Sequence, residues 1–283
     1  MNILTVAVSL ALASAQVQAL GWSFNKRVIG GGSASPEEFP FLVTISRTTD
    51  KGIEFICGGS IIHKHVIVTA ASCFTNGTTG DVVSPSRLLV GFGNHNRKKQ
   101  LLYPAIDLVV HPEYEPKGNA NNIALVSVPA LPLDNSNVAK IPVFKGKVVD
   151  GSAMNFAGWG SRTNATKNDT SSDILRKTIV KVGSSDKCRK YLKGFQTSNG
   201  PQTCTQNSLT PNSGACGRDW GSGLVGFVKN KPYLIGLASH GTDPDQKGSQ
   251  ACAQPTGFGV YTHVNYYIGF IANTTNLPAS TFY

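Results

Sequence analysis

The chain has 283 residues, long enough for a large buried core or for two compact lobes sharing one interface. Apolar residues make up 40% and charged residues only 15%, which excludes a disordered chain and a coiled coil. The formal net charge is +10, an excess that favours acidic partners or polyanionic surfaces in general without identifying one. Residues 1–27 carry only Lys26 and Arg27 as charges, so the remainder is still strongly basic.

In chain order, the first feature is a run of apolar and small residues from Ile3 to Ala15 with no charge. It is too short to span a membrane comfortably. Two small-x-small sites follow, Ala13-Ser14-Ala15 and Val17-Gln18-Ala19. Residues 1–19 therefore read as a secretory signal peptide, although the basic stretch that usually opens one is reduced to the amino terminus; a buried N-terminal helix is the alternative. No later segment is apolar for long enough to span a membrane, so the expected location is secreted and extracellular.

Beyond it, short runs rich in Val, Ile and Leu are punctuated by Gly, Pro, Asn and Ser. Phe41–Ser46, His65–Ala70, Leu101–Val110, Ile123–Val128, Ile179–Val182 and Tyr233–Ala238 are predicted strands. The pattern predicts an all-β sandwich or barrel. Helical signals are few: Ser185–Leu192, with Ser185 or Asp186 near its cap, and Val264–Ala272 near the C-terminus. The polar stretch Thr163–Asp173 is predicted to be an exposed loop. Asn-x-Thr sequons at Asn76, Asn164, Asn168 and Asn273 fit a secreted surface. The cysteines are Cys57, Cys73, Cys188, Cys204, Cys216 and Cys252. None forms a CxxC pair, which argues against zinc or redox chemistry, and spacing alone does not choose among the possible disulfide pairings.

A set of landmarks gives these segments an identity. They are Arg27-Val28-Ile29-Gly30-Gly31, Cys57-Gly58-Gly59-Ser60-Ile61-Ile62, Val68-Thr69-Ala70-Ala71-Ser72-Cys73, Asn121-Asn122-Ile123-Ala124-Leu125, Gly158-Trp159-Gly160, Cys216-Gly217-Arg218-Asp219-Trp220-Gly221 and Gly259-Val260-Tyr261-Thr262. In this order and spacing the chain resembles the chymotrypsin-like (trypsin-like) serine proteases over nearly all of residues 27–272. The resemblance implies two packed six-stranded antiparallel β-barrels, with a short intermediate helix, a C-terminal helix and a cleft between the barrels. It also implies a propeptide at 20–27 ending at Arg27, a domain at 28–283 dividing near 140–150, and disulfides Cys57–Cys73, Cys188–Cys204 and Cys216–Cys252.

Catalysis in that family needs a nucleophilic Ser, a His to take its proton and a buried Asp to hold the His in the right tautomer. By resemblance the His position holds Ser72, the Asp position Asn122 and the nucleophile position Trp220. A hydroxyl is no base near neutral pH, an amide cannot stabilise an imidazolium, and an indole has no hydroxyl to attack with. Replacing the Asp alone by Asn costs about ten-thousandfold in turnover in a model enzyme of the family. Arg218 occupies the oxyanion-hole glycine, where a side chain resists the backbone angles. Gly214 stands where trypsin-like enzymes carry the Asp that recognises Lys or Arg. Ser222 becomes the nucleophile only if the alignment shifts after Cys216. His63 and His65 are predicted surface turn residues, and His111 a loop residue. Ser239-His240-Gly241 replaces the family's Ser-Trp-Gly along the cleft, so His240 is expected to line a groove or stand as a partly exposed wall residue. Arg27, Val28 and Asp219 retain the pattern of zymogen activation.

These residues predict a secreted, catalytically inert homologue that binds another secreted or host protein through Trp220, Arg218, Gly214, Ser239, His240 and Gly241, as inhibitor, decoy or cofactor. No cofactor, metal or nucleic acid is expected. Lys187, Arg189, Lys190 and Lys193, with Arg176, Lys177 and Lys181 upstream, suggest an alternative: an azurocidin-like binder of anionic polysaccharide or microbial surfaces, against the plainer reading of a solvated helix face. A residual serine-type endopeptidase is a further alternative.

Overall fold

The computed structural model describes residues 31–77, 79–134, 136–161, 171–206, 214–242 and 256–283. The expected signal peptide and propeptide, with Arg27, Val28, Asn164, Asn168 and Cys252, lie outside these residues. The fold consists of two curled antiparallel sheets, each closing on itself. In the first, the order is β6-β5-β2-β3-β4-β8-β7. These strands are β2 (Leu42–Thr49), β3 (Gly52–His63), β4 (Val66–Thr69), β5 (Leu88–Phe92), β6 (Leu101–Pro104), β7 (Asp107–Val110) and β8 (Ala124–Ser127).

The run Leu101–Val110, expected as one strand, is broken into β6 and β7, which is why seven segments appear rather than six. Pro104 has no N–H to continue a ladder. At the break Ala105 N–H turns to Leu88 O (3.0 Å) and Ile106 N–H to Ser127 O (2.8 Å), so the bend closes the barrel. In the second sheet the order is β1-β10-β11-β14-β13-β12-β9, and β9 also pairs with β10 to close it. Its strands are β9 (Ala153–Gly158), β10 (Arg176–Val182), β11 (Gln202–Gln206), β12 (Gly223–Val228), β13 (Lys231–Thr242) and β14 (Phe258–His263). The seventh segment, β1 (Gly32–Ser33), is a two-residue strand laid by the N-terminal part of the chain along β10.

The intermediate helix α1 spans Ser185–Tyr191. The C-terminal helix starts as a 3-10 turn over Val264–Tyr267 and continues as α2 (Ile268–Thr275), ending on Asn276 in the left-handed region at φ 52°, a common way to stop a helix. Cys57–Cys73 and Cys188–Cys204 are bonded as expected. Cys216 is also in a disulfide, and its expected partner lies outside the described residues.

Each barrel buries its own apolar core, and a third cluster lies between them. That cluster joins Phe41, Leu42, Val68 and Ile123 of the first barrel to Trp159, Val225, Leu234 and Leu237 of the second. Polar staples reinforce it. Trp159 Nε1–H donates to His95 O (2.8 Å), and the Asp173 carboxylate pairs with Arg97 (3.1 Å) and Lys98 (2.7 Å) from across the interface. The C-terminal tail completes the seal: Phe282 is 1% exposed within the shared cluster, and its carbonyl accepts from Val143 N–H (2.7 Å).

His263, at the end of β14, is a buried polar group. Its Nδ1 lies 3.0 Å from Gly200 O, which makes it the donor, while Nε2 is buried without a partner among the described residues. Burial holds its pKa below the ordinary value of 6.5, offset in part by backbone bonds to Gly200 and Asn199. A depressed histidine pKa contributes stability above the unfolded-state pKa that is lost as pH falls through it.

Two outcomes follow for stability. Phe282→Ala should destabilise the fold by about 3 kcal/mol in denaturant titrations, and a midpoint equal to wild type would refute the sealing role of the tail. In the same titrations run from pH 7 down to pH 5, wild type should lose stability more steeply than His263→Phe, by up to about 1.4 kcal/mol per pH unit; parallel slopes would show that His263 does not titrate with unfolding.

Candidate functional site

The cleft is built where a turn of the second barrel touches the first. Gly58 in β3 donates its N–H to Trp220 O (3.0 Å), and its carbonyl accepts from Thr69 Oγ1 (2.7 Å). Gly221 has φ +76°, and a Cβ there would stand 2.1 Å from Thr69 Oγ1 and 2.5 Å from Gly58 O. Only glycine satisfies both the angle and the space. The Gly221 N–H donates to Ala238 O (2.8 Å), so residues 220–221 are fixed from both barrels. Trp220 is thereby held half-buried, its ring packed against the first-barrel core. Its indole N–H makes no hydrogen bond among the described residues.

The disulfide Cys57–Cys73 fixes the short 3-10 turn Ala71–Cys73 that carries Ser72. Asn122 lies beside it, fully buried at the start of the segment leading into β8. Its Oδ1 accepts from the Ser72 backbone N–H (2.8 Å), and its Nδ2 donates to Ser72 Oγ (3.2 Å) and Ser239 Oγ (2.8 Å). The Ser72 N–H can only donate, so the orientation of the amide is settled: oxygen toward the backbone, nitrogen toward both hydroxyls. Asn122 O accepts from Thr262 Oγ1 (2.8 Å), adding a second tie to the other barrel. Ser72, Asn122 and Ser239 are thus joined by direct hydrogen bonds. His240 is half-buried beside them, with Nδ1 3.2 Å from Ser239 Oγ. Burial lowers its pKa. Gly241 follows it, exposed, at the cleft end of β13.

Arg218 adopts φ 68°, a left-handed conformation that costs a side-chain-bearing residue about 1–2 kcal/mol. Its guanidinium reaches into the first barrel, donating to Phe55 O (3.1 Å) and pairing with Glu54 (3.2 Å). Glu54 also pairs with Arg47 (3.0 Å), so one carboxylate holds two guanidinium groups. Asp219 is 1% exposed and accepts from Gly160 N–H (2.8 Å) and Cys216 N–H (2.9 Å). Burial pushes its pKa up to about 7, against the lowering effect of those two bonds. Gly214 is buried, and neighbouring residues 207–213 and 243–255 lie outside the described set.

The other histidines take no part in this network. His65 Nδ1 bonds to Val128 O in the β3–β4 turn, His63 stands next to it, and the His111 ring packs on Phe270 and Tyr267. Ser222 is 1% exposed and its Oγ has no partner among the described residues. Among the described residues no group of three or more His, Cys, Asp or Glu converges to hold a metal. Asn76 and Asn273 are both exposed. The basic group divides: Arg176 is buried, Lys177 pairs with Glu38 and Arg189 with Asp186, while Lys187, Lys190 and Lys193 are exposed.

Sequence reasoning missed two neighbours. Tyr114 stands against Ser72: burial raises its phenol pKa, and the Thr75 and Ser72 hydroxyls partly offset the rise. Glu54 is the second, and nothing local in the sequence signals a contact 164 residues away. The Arg218 geometry yields a stability order. Arg218→Gly should be more stable than Arg218→Ala by about 1 kcal/mol, because both lose the Glu54 contact but only glycine relieves the backbone; equal melting midpoints would contradict the strain.

Comparison with known proteins agrees with the architecture. The Trypsin family profile matches residues 28–271. Trypsin eta of Drosophila melanogaster is 29% identical over 276 residues, covering 96% of this chain and 95% of that protein. Granzyme F of Mus musculus is 28% identical over 258 residues, covering 89% of this chain and 92% of that protein. Trypsin Tyr p 3.0101 of Tyrophagus putrescentiae is 28% identical over 262 residues, covering 92% and 84%. With two closed antiparallel barrels and this match over most of its length, the chain belongs to the trypsin family of chymotrypsin-like serine proteases.

Proposed function

We propose that the chain is a secreted, non-catalytic member of its family that binds another protein in the former catalytic cleft, as inhibitor, decoy or cofactor. One observation carries this reading: buried Asn122 turns its amide nitrogen, not an acceptor, toward both Ser72 and Ser239. A hydroxyl nucleophile needs an adjacent base, and the base needs a carboxylate to stabilise its charge. Here the three positions offer a hydroxyl, an amide and an indole. Arg218 and its tie to Glu54 further alter the place where an oxyanion would be received. No helix among the described residues is long and apolar enough to cross a membrane, and the apolar N-terminal run supports secretion.

What remains is a recognition surface. Trp220 is the residue type that most often anchors protein interfaces. Asp219 adds a means of ordering it: cleavage after Arg27 would free an ammonium at Val28 able to neutralise this buried carboxyl, whose unpaired charge is costly.

The test uses protein cleaved after Arg27. A fluorophosphonate probe, which marks activated serines, should leave it unlabelled; labelling at Ser222 or any other serine would overturn the reading in favour of a serine-type endopeptidase. The immobilised protein should retain a defined secreted protein at about 1 M salt, where charges more than ~3 Å apart are screened, and Trp220→Ala should lose it. Equal retention by Trp220→Ala would remove the cleft as the binding site.

A second reading has its own observation. Lys187, Lys190 and Lys193 recur at three-residue spacing along α1 and just beyond it, all exposed. That row suits a sulfated polysaccharide. Retention on heparin that collapses at moderate salt, and disappears when the three lysines become alanine, would support it; unchanged retention by the triple variant would dismiss it.

A further inference from the structure

The hydrogen bonds around Asn122 run outward, and their direction has a consequence at His240. The Asn122 oxygen is claimed by the Ser72 backbone N–H, so its nitrogen must give its hydrogens to Ser72 Oγ and Ser239 Oγ. Ser239 Oγ therefore accepts from Asn122 at 2.8 Å and must place its own hydrogen elsewhere. The group available is His240 Nδ1 at 3.2 Å. An Nδ1 that accepts is unprotonated, and in a neutral imidazole the hydrogen then sits on Nε2. His240 Nε2 has no partner among the described residues and is not enclosed. We infer that the cleft presents His240 as an outward hydrogen-bond donor, its tautomer fixed by Asn122 through Ser239, and that this donor takes a carbonyl or carboxylate oxygen of whatever occupies the cleft.

The chain of donors follows from replacing a carboxylate by an amide. A carboxylate at position 122 would accept from Ser239, leaving that hydroxyl no hydrogen for His240. The amide reverses the bond, and the reversal passes along Ser239 to the ring. Burial lowers the pKa of His240, so it donates as a neutral ring near pH 7 and not through a charge. A donor in this position suits a ligand oxygen and disfavours an N–H group, whose hydrogen would meet a hydrogen. Asn122 and Ser239 are positioning residues here; His240 makes the contact.

The ligand assignment depends on the cleft-binding reading above, whereas the tautomer does not. The experiment is nitrogen-15 NMR of the full chain with labelled histidine near pH 7. Wild type should show His240 protonated at Nε2 and unprotonated at Nδ1. Ser239→Ala, which removes the relay, and Asn122→Asp, which keeps the size but reverses the bond, should each lose that single tautomer, the second toward protonation at Nδ1. Protonation at Nδ1 in wild type, or an unchanged tautomer in both variants, overturns the inference. Titration with acetyl-trialanine amide and, separately, sodium acetate then reads the ligand class. A shift of His240 Nε2 with the peptide assigns a main-chain carbonyl, and a shift with acetate alone assigns a carboxylate. No shift with either rejects the oxygen acceptor. The tautomer is measured without a partner, so failure of the capture experiment leaves it standing, and a wrong tautomer leaves protein capture standing.

Discussion

The buried amide of Asn122 is the constraint on which the cleft depends. It is fully enclosed, so each of its polar atoms needs a partner, and it finds all of them. Its side chain ties the Ser72 turn of the first barrel to Ser239 in β13, and its carbonyl ties the same point to Thr262 in β14. The node therefore joins both barrels at the cleft floor. It also sets the polarity of the cleft, because the one acceptor on the side chain is used internally and the two donors are turned toward hydroxyls.

Around that node the cleft is assembled by close contact. Gly58 and Gly221 let the two barrels meet backbone to backbone, and Trp220 is carried on that contact. Arg218, in a strained conformation, spends its guanidinium on Glu54 and Phe55 across the cleft. The bonds from both barrels hold the cleft as one rigid arrangement. A surface already held in its binding geometry loses less entropy when a partner arrives, which suits the proposed recognition role.

Much of this was legible in the sequence because the landmarks are local. Cys57, Ser72-Cys73, Asn122, Asp219-Trp220 and Ser239-His240 each sit in a short motif that fixes their place in the fold, and runs rich in Val, Ile and Leu between turn residues marked β2, β4, β8, β10 and β13. The break of Leu101–Val110 into two strands was hidden, because closing the barrel needs partners at Leu88 and Ser127 that periodicity does not reveal. Glu54 and Tyr114 were hidden for the same reason: their roles come from packing between distant segments. The direction of the Asn122 bonds was also out of reach, since it depends on which atom the Ser72 N–H meets.

The relatives bear the names of proteases, so the central claim is that this cleft recognises without cutting. Its most direct test is incubation of the protein, cleaved after Arg27, with a diverse peptide library read by mass spectrometry over hours. The account predicts that every peptide is recovered intact. Reproducible cleavage at a defined residue type, persisting through repurification and lost on Ser222→Ala or on alanine replacement of another serine, would contradict it.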